Sequence, residues 1–228
     1  MNLQIVMEYT PEILAGVVVT MKLVVVTMVL GLLLAVPLAL CRNAKSKWLS
    51  IPAYAYIYFF RGTPLLVQLF IIYYGFSQFE SIRQSFLWTF LSESYWCSIL
   101  AFTLNTAAYT AEILRGAIKS VPQGQIEAAL SVGMSPIKLY TRIISPQAAL
   151  IALPGYCNES VLMMKGTSLA STVALLEITG ITRNLIAETF MPLELFFLAG
   201  VIYMIISTIM IGGFKLLEAS LSRFRVEI

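Results

Sequence analysis

Between Ile13 and Leu40 the chain carries a single charge, Lys22. Built as a helix at 1.5 Å per residue, that run is roughly 42 Å long, more than the ~30 Å hydrocarbon core of a bilayer. Hydrocarbon offers no water to satisfy peptide groups, so a run of this kind folds as a spanning helix. It must tilt, kink or protrude, and Pro37, which removes a backbone hydrogen bond, is the expected kink. Four further runs follow: Ala53 to Phe76, broken by Arg61-Gly62-Thr63-Pro64; Trp96 to Gly116; Leu150 to Ala170; and Leu195 to Leu217. The composition agrees, with 59% hydrophobic and 12% charged residues against about 45–50% and about 25% in soluble domains. The expected fold is an all-α polytopic membrane protein with about five transmembrane helices, a single domain over residues 1–228.

The connections refine this plan. SQFESIRQSFLWTFLSESY, from Ser77 to Tyr95, is semi-apolar with both charge signs and suits the membrane interface. The stretch TVALLEITGITRNLIAETFMPLE is too polar and glycine-broken to span, and is expected to be external or re-entrant under protein cover. The beginning, MNLQIVMEYTPEIL, lacks the basic region and small-residue cleavage site of a signal peptide, so the first span is expected to be retained. With five spans, Arg42, Lys45 and Lys47, then Arg115, Lys119, Lys138 and Arg142, then Lys215, Arg223 and Arg225 fall on one side. Positive charge marks the cytoplasm. The N-terminus is therefore expected outside and the C-terminus in the cytoplasm.

Several chemistries are excluded. There is no histidine, so histidine triads, HExxH metal sites and imidazole proton shuttles are absent. Cys41, Cys97 and Cys157 are odd in number, far apart and set in or beside apolar runs, unlike a disulfide framework or zinc site. A net charge of +3 gives no basis for a nucleic-acid partner. The chain has no GxxxxGK[ST] and so lacks the loop that would hold nucleotide phosphates. No cofactor and no metal are expected on this chain, and no catalytic residues.

Intramembrane polar groups are costly and usually face a bundle interior or a water-filled path. On the third span Ser98, Asn105, Tyr109, Glu112 and Gly116 follow at steps of seven, four, three and four, a narrow stripe on a helix. Asn105, Tyr109 and Glu112 are candidate pathway residues; alternatively they bond to neighbouring helices, with Glu112 paired to Arg115 or Lys119. On the fourth span Asn158, Glu159 and Lys165 are candidates for the same role. Glu159 and Lys165, six residues apart, do not pair within one straight helix. Both signs of charge would suit a free amino acid. Arg61, Gly62 and Pro64 mark either a cavity-lining break or hinge, or an arginine snorkelling to headgroups.

Residues 118–148 form the long polar interruption. Gln123 to Val132 has helical composition, and Gly133 suits a left-handed helix end. Ser135 offers an N-cap and Pro136 the first helical position. A second helix, Pro136 to Ser145, would place Ile137, Tyr140 and Ile144 on one face, limited by Pro146. The residues alone leave two readings open, a hairpin lying on the membrane or a docking surface for another protein.

Glu127-Ala128-Ala129, Gly133 six residues after Glu127, then Ile143 and Pro146, resemble the EAA loop of ABC importer permeases, with Ser145 where that pattern commonly has Leu. FFRGTPLLVQLFIIYYG, LNTAAYTAEILRGAIKSVPQGQIEAA, LPGYCNE and KGTSL extend the resemblance over nearly the whole chain, toward polar amino acid importers and, within them, M-type permeases of bacterial arginine uptake. The resemblance implies a type I ABC importer permease fold in the bacterial cytoplasmic (inner) membrane. It implies a cytoplasmic ABC ATPase dimer that binds ATP and Mg, a second permease subunit, and an external or periplasmic amino acid binding protein. It also implies that Glu127, Ala128, Ala129, Gly133, Ile143 and Pro146 couple to the ATPase. Family members often read KDTSL where this chain has Lys165-Gly166-Thr167-Ser168-Leu169; the missing carboxylate points to a non-identical partner permease. The alternative is an ion-gradient-driven amino acid carrier or channel subunit, though the chain shows no internal symmetry of the kind such carriers often have.

Overall fold

The computed structural model describes residues 3–222, with side chains described over 8–221; Arg223 and Arg225 lie outside it. The described residues form helices without a strand. α1 (Leu3–Asn43) is the long first span, and helical conformation continues through Pro37, where a kink was expected. α2 (Lys47–Gly62) and α3 (Leu65–Phe70) follow, α3 continuing through a π-helical turn (Ile71–Gly75) and a 3-10 turn (Phe76–Gln78). Two short helices, α4 (Glu80–Arg83) and α5 (Trp88–Leu91), lead into α6 (Ser94–Lys119). α7 (Gln123–Ser131) precedes a composite helix made of α8 (Pro136–Leu139), a π-helical turn (Tyr140–Ile144) and α9 (Ser145–Gly166). A 3-10 turn (Thr167–Val173), α10 (Ile178–Thr189) and α11 (Pro192–Ser222) complete the order.

Three of these helices, over Glu8–Asn43, Ser94–Lys119 and Pro192–Leu221, are long and apolar enough to cross a membrane singly. Two bent pairs raise the number to five. The second expected span is one of them: α2 and the helical stretch Leu65–Gln78 meet at 103°. Pro64 accounts for the break, because a proline disfavours helical backbone in the residue before it. Thr63 is accordingly extended (φ −115°, ψ 146°), as is Pro64 (ψ 134°). The second pair, Pro136–Val173 and Ile178–Thr189, bends by 47°.

α6 is the centre of the bundle. Two-thirds of its spanning window is buried (67%), against 39% for α1 and 28% for α11. Its buried residues are mostly small: Ala101, Ala107, Ala108, Ala111, Thr106 and Thr110. In a membrane, where apolar burial between helices has little driving force, small residues let backbones approach and gain dispersion contacts. α1 and α9 exploit this, packing along α6. Gly31 of α1 lies so close that a Cβ there would come within 2.5 Å of the Thr106 methyl.

The fourth span begins earlier than expected. Pro146 does not end the helix that starts at Pro136; the π-helical turn at Tyr140–Ile144 lies directly before it and the helix continues to Gly166. The wider turn leaves carbonyls free where proline supplies no N–H, so the ring is accommodated. The face expected from Ile137, Tyr140 and Ile144 is also not the buried one. Ile144 is buried with Leu139, Ala148 and Ala152, whereas Ile137 is 77% and Tyr140 40% exposed.

The stretch after the fourth span folds back under cover, as its polarity demanded. Ile178 and Leu185 of α10 pack with Ile13 of α1 and with Leu195, Leu198, Ala199 and Ile202 of α11. Gly16 permits the closest approach: a Cβ there would meet backbone at Ile178 N (2.8 Å) and Glu177 C (2.9 Å).

Candidate functional site

Two features that the sequence offered separately come together in space, the polar stripe of α6 and the Arg61–Pro64 break. Asn105 Nδ2 donates to Phe60 O (3.1 Å), a carbonyl left over at the end of α2, and to Gln68 Oε1 (3.0 Å). Gln68 Nε2 in turn lies 2.9 Å from Phe60 O, 3.1 Å from Thr63 O and 2.7 Å from Thr63 Oγ1. Both amides are buried. A buried polar group is tolerated when it is bonded, and these bond the backbone groups that the broken helix leaves unsatisfied. Gln68 was not among the sequence candidates; its signal is a lone amide four residues after a helix-breaking proline.

One turn along the stripe the half-buried Tyr109 ring carries the Arg61 guanidinium, whose carbon is 5.1 Å from its centroid. Glu112 follows, accepting from Arg115 Nε (2.8 Å to Oε2) and Nη2 (2.6 Å), with Arg42 Nε 3.9 Å away. Glu112 therefore pairs with Arg115 rather than Lys119. A groove of about 470 Å³ opens here, lined by Arg42, Arg61, Gly62, Thr63 and Glu112 with aromatic neighbours. Gly62 has open space around it, and a Cβ there would meet nothing within 4 Å. Pro64 is exposed, and Gly116, the last member of the stripe, is exposed as well.

The candidates on α9 separate. Asn158 is exposed. Glu159 is buried and accepts a hydrogen bond from Thr106 Oγ1 of α6 (3.0 Å). Lys165 instead lines a second cavity of about 570 Å³ with Ser168, Thr179, Tyr203 and Ser207. Behind that cavity sits Glu177, fully buried. Its carboxylate accepts from Gly180 N (2.8 Å) and Tyr203 Oη (2.7 Å), and Tyr203 Oη lies 3.0 Å from Thr179 Oγ1. Glu177 is thus the N-cap of α10, placed where the helix dipole favours negative charge. An acid directly before a helical pattern was the available signal.

In the loop, α7 closes on Gly133 as expected. Gly133 has φ +76°, Met134 N donates to Ala129 O (3.1 Å) and Gly133 N to Leu130 O (2.9 Å), the paired bonds of a Schellman end. Ser135 has the extended backbone of an N-cap but makes no capping bond through its side chain, and Pro136 opens α8. Ala129 is buried against Leu139, Ile144 and Ala148, and Ile143 packs partly onto that cluster. Gln147 Nε2 donates to Gln125 Oε1, joining α7 to α9. Glu127, Ala128, Ser145 and Pro146 are exposed.

A helical bundle with two bent spans and a folded elbow between its third and fourth spans is the fold of a type I ABC importer permease. The chain is similar to a solved amino acid ABC transporter crystallised with histidines, with a TM-score of 0.86 and 29% identity over 96% of this chain and 99% of that one. Residues 27–223 match the family of binding-protein-dependent transport system inner membrane components, and the chain belongs to that family. It is similar to the octopine transport system permease protein OccM of Rhizobium meliloti (55% identity, covering 92% of this chain and 85% of that one). It is also similar to the histidine/lysine/arginine/ornithine transport system permease protein HisM of Escherichia coli K12 (43%, covering 89% and 86%). A permease of this family is a transport subunit, and ATP hydrolysis belongs to a separate chain.

Proposed function

We propose that this chain is one of two permease subunits of an importer for amino acids with a cationic side chain, arginine foremost, and that residues 118–148 transmit ATPase motion to it. The exposed apolar rim of the loop carries this reading. Val132 and Ile137, on either side of Gly133, are each 77% exposed, and Leu130 is 52% exposed. Apolar side chains grouped at a rigid, well-terminated elbow, beside the exposed carboxylate of Glu127, suit the surface of a partner protein better than water. Glu127, Ala128, Gly133 and the exposed Pro146 would face the ATPase, while Ala129 and Ile143 fix the elbow to α9.

Arginine is favoured by the relative whose named substrates are histidine, lysine, arginine and ornithine. In this reading the N-terminus lies outside and the loop and C-terminus in the cytoplasm, where Arg42, Lys45, Lys47, Lys119, Lys138 and Arg142 gather. The partner permease is non-identical, ATP and Mg are held by the ATPase pair, and a binding protein delivers the substrate. Asn105, Tyr109 and Glu112 set the break beside the pathway, and Asn158, Glu159 and Lys165 meet the substrate or the partner subunit.

The test is co-purification of the ATPase with membrane-inserted permease. Glu127→Ala and Gly133→Asp are expected to lower ATPase association or transport-coupled ATP turnover while insertion stays normal. Wild-type association and uptake in both variants would refute the coupling role.

A further inference from the structure

Where α1 turns into α2, three guanidinium groups gather around one carboxylate. Arg115 holds Glu112 at 2.6 Å, Arg42 stands 3.9 Å from it, and Arg61 lines the same groove. Three cations against one anion leave two positive charges uncompensated within the cluster. The donors are also incompletely used. Arg42 Nε and Asn43 Nδ2 are buried atoms with no hydrogen-bond acceptor, although buried donors are nearly always bonded. The groove is large enough for a headgroup, at about 470 Å³. Its remaining walls are aromatic: Tyr54, Tyr58 and Phe59 of α2 are 49%, 69% and 52% exposed, and Arg42 stacks 4.8 Å from the Tyr54 centroid. Lys45, Lys47 and the 91% exposed Trp48 lie at the adjoining turn, the residue types that mark a membrane interface.

We propose that this groove is a binding site for the phosphate of an anionic phospholipid, held by Arg42 and Arg61 with the acyl chains against the aromatic face of α2. Oxygen-rich anions suit guanidinium donors, and basic pockets between spanning helices are the recurrent setting for anionic headgroups. Free phosphate shares the chemistry, but it would leave the exposed aromatic wall without a role. The Glu112–Arg115 pair keeps the floor polar and holds the third guanidinium away from the headgroup.

Native mass spectrometry of the assembled, detergent-purified transporter tests this, titrating phosphatidylglycerol, phosphatidylcholine and inorganic phosphate separately. Phosphatidylglycerol is expected to stay bound in preference to phosphatidylcholine. Its affinity should fall about fivefold in Arg42→Gln and again in Arg61→Gln, the effect of one interfacial cation, and stay unchanged in Arg83→Gln, an exposed cation on α4. Equal retention of the two lipids by the wild-type complex would overturn the proposal, as would unchanged affinity in both groove variants. Displacement of the lipid by inorganic phosphate would assign the site to free phosphate, and displacement by arginine would assign it to the transport pathway; either defeats the lipid assignment. Should Arg42→Gln fail to assemble, Arg61→Gln and the wild-type lipid preference decide.

Discussion

Replacing Glu177 separates two roles that a buried carboxylate can have, as a hydrogen-bond acceptor or as a charge. Its two oxygens satisfy Gly180 N at 2.8 Å and Tyr203 Oη at 2.7 Å, in a position with no exposure to solvent. Glu177→Ala removes the cap of α10, worth about 1 kcal/mol, and leaves the Gly180 N–H and the Tyr203 hydroxyl buried without their acceptor, at about 1–3 kcal/mol for an unsatisfied group. Tyr203 recovers part of this by donating to Thr179 Oγ1, 3.0 Å away. The net cost is therefore about 2–4 kcal/mol, or a fall of roughly 5–15 °C in the thermal midpoint of a chain this size. Glu177→Gln keeps one carbonyl for Gly180, and its amide donates to a Tyr203 hydroxyl turned toward Thr179. It should cost about 1 kcal/mol or less. Thermal unfolding of the assembled transporter in detergent, followed by tryptophan fluorescence and by tryptic cleavage at the exposed Arg183 of α10, reads both variants. A Gln variant as unstable as Ala would refute the capping argument, because charge rather than hydrogen bonding would then be holding α10.

Three further outcomes follow from the packing. Gly16→Val should prevent normal accumulation of the permease, since its Cβ would press on backbone at Ile178 and Glu177, whereas Gly62→Ala, with nothing within 4 Å, should accumulate normally; immunoblots of membrane fractions compare them. Asn105→Leu leaves Gln68 Oε1 without its donor and Phe60 O one donor short, so the midpoint should fall by several degrees, as expected for about 1–3 kcal/mol. Gly133→Val places a β-branched residue at φ +76°, at a cost of about 1–2 kcal/mol confined to the elbow. It should reduce coupled ATP turnover more than thermal stability.

Much of the bundle is legible in the sequence, because twenty-residue apolar runs have one stable outcome in a bilayer. The α7 end at Gly133 and the start at Pro136 are legible for a different reason: a left-handed turn and a helix start demand particular residues. Pro64 broke the second run as its chemistry requires, but the 103° angle depended on Asn105 and Gln68, 37 residues apart, finding the same carbonyl. Pro146 misled because a π-helical turn, set by tertiary packing, absorbs a residue that normally stops a helix. That same turn shifts the helical register and moves Ile137 and Tyr140 away from the buried face of Ile144. The burial of Glu177 needed Gly16, which admits the α10 start against α1, and Tyr203 from a helix later in the chain.

The most direct test of the central claim is amino acid uptake into proteoliposomes containing this permease, its partner permease, the ATPase and the binding protein. Arginine accumulation is predicted to require ATP, Mg and all four proteins together, and to be lost with Gly133→Asp in this chain. Uptake by the permease under an ion gradient alone, without ATPase or binding protein, would contradict the account.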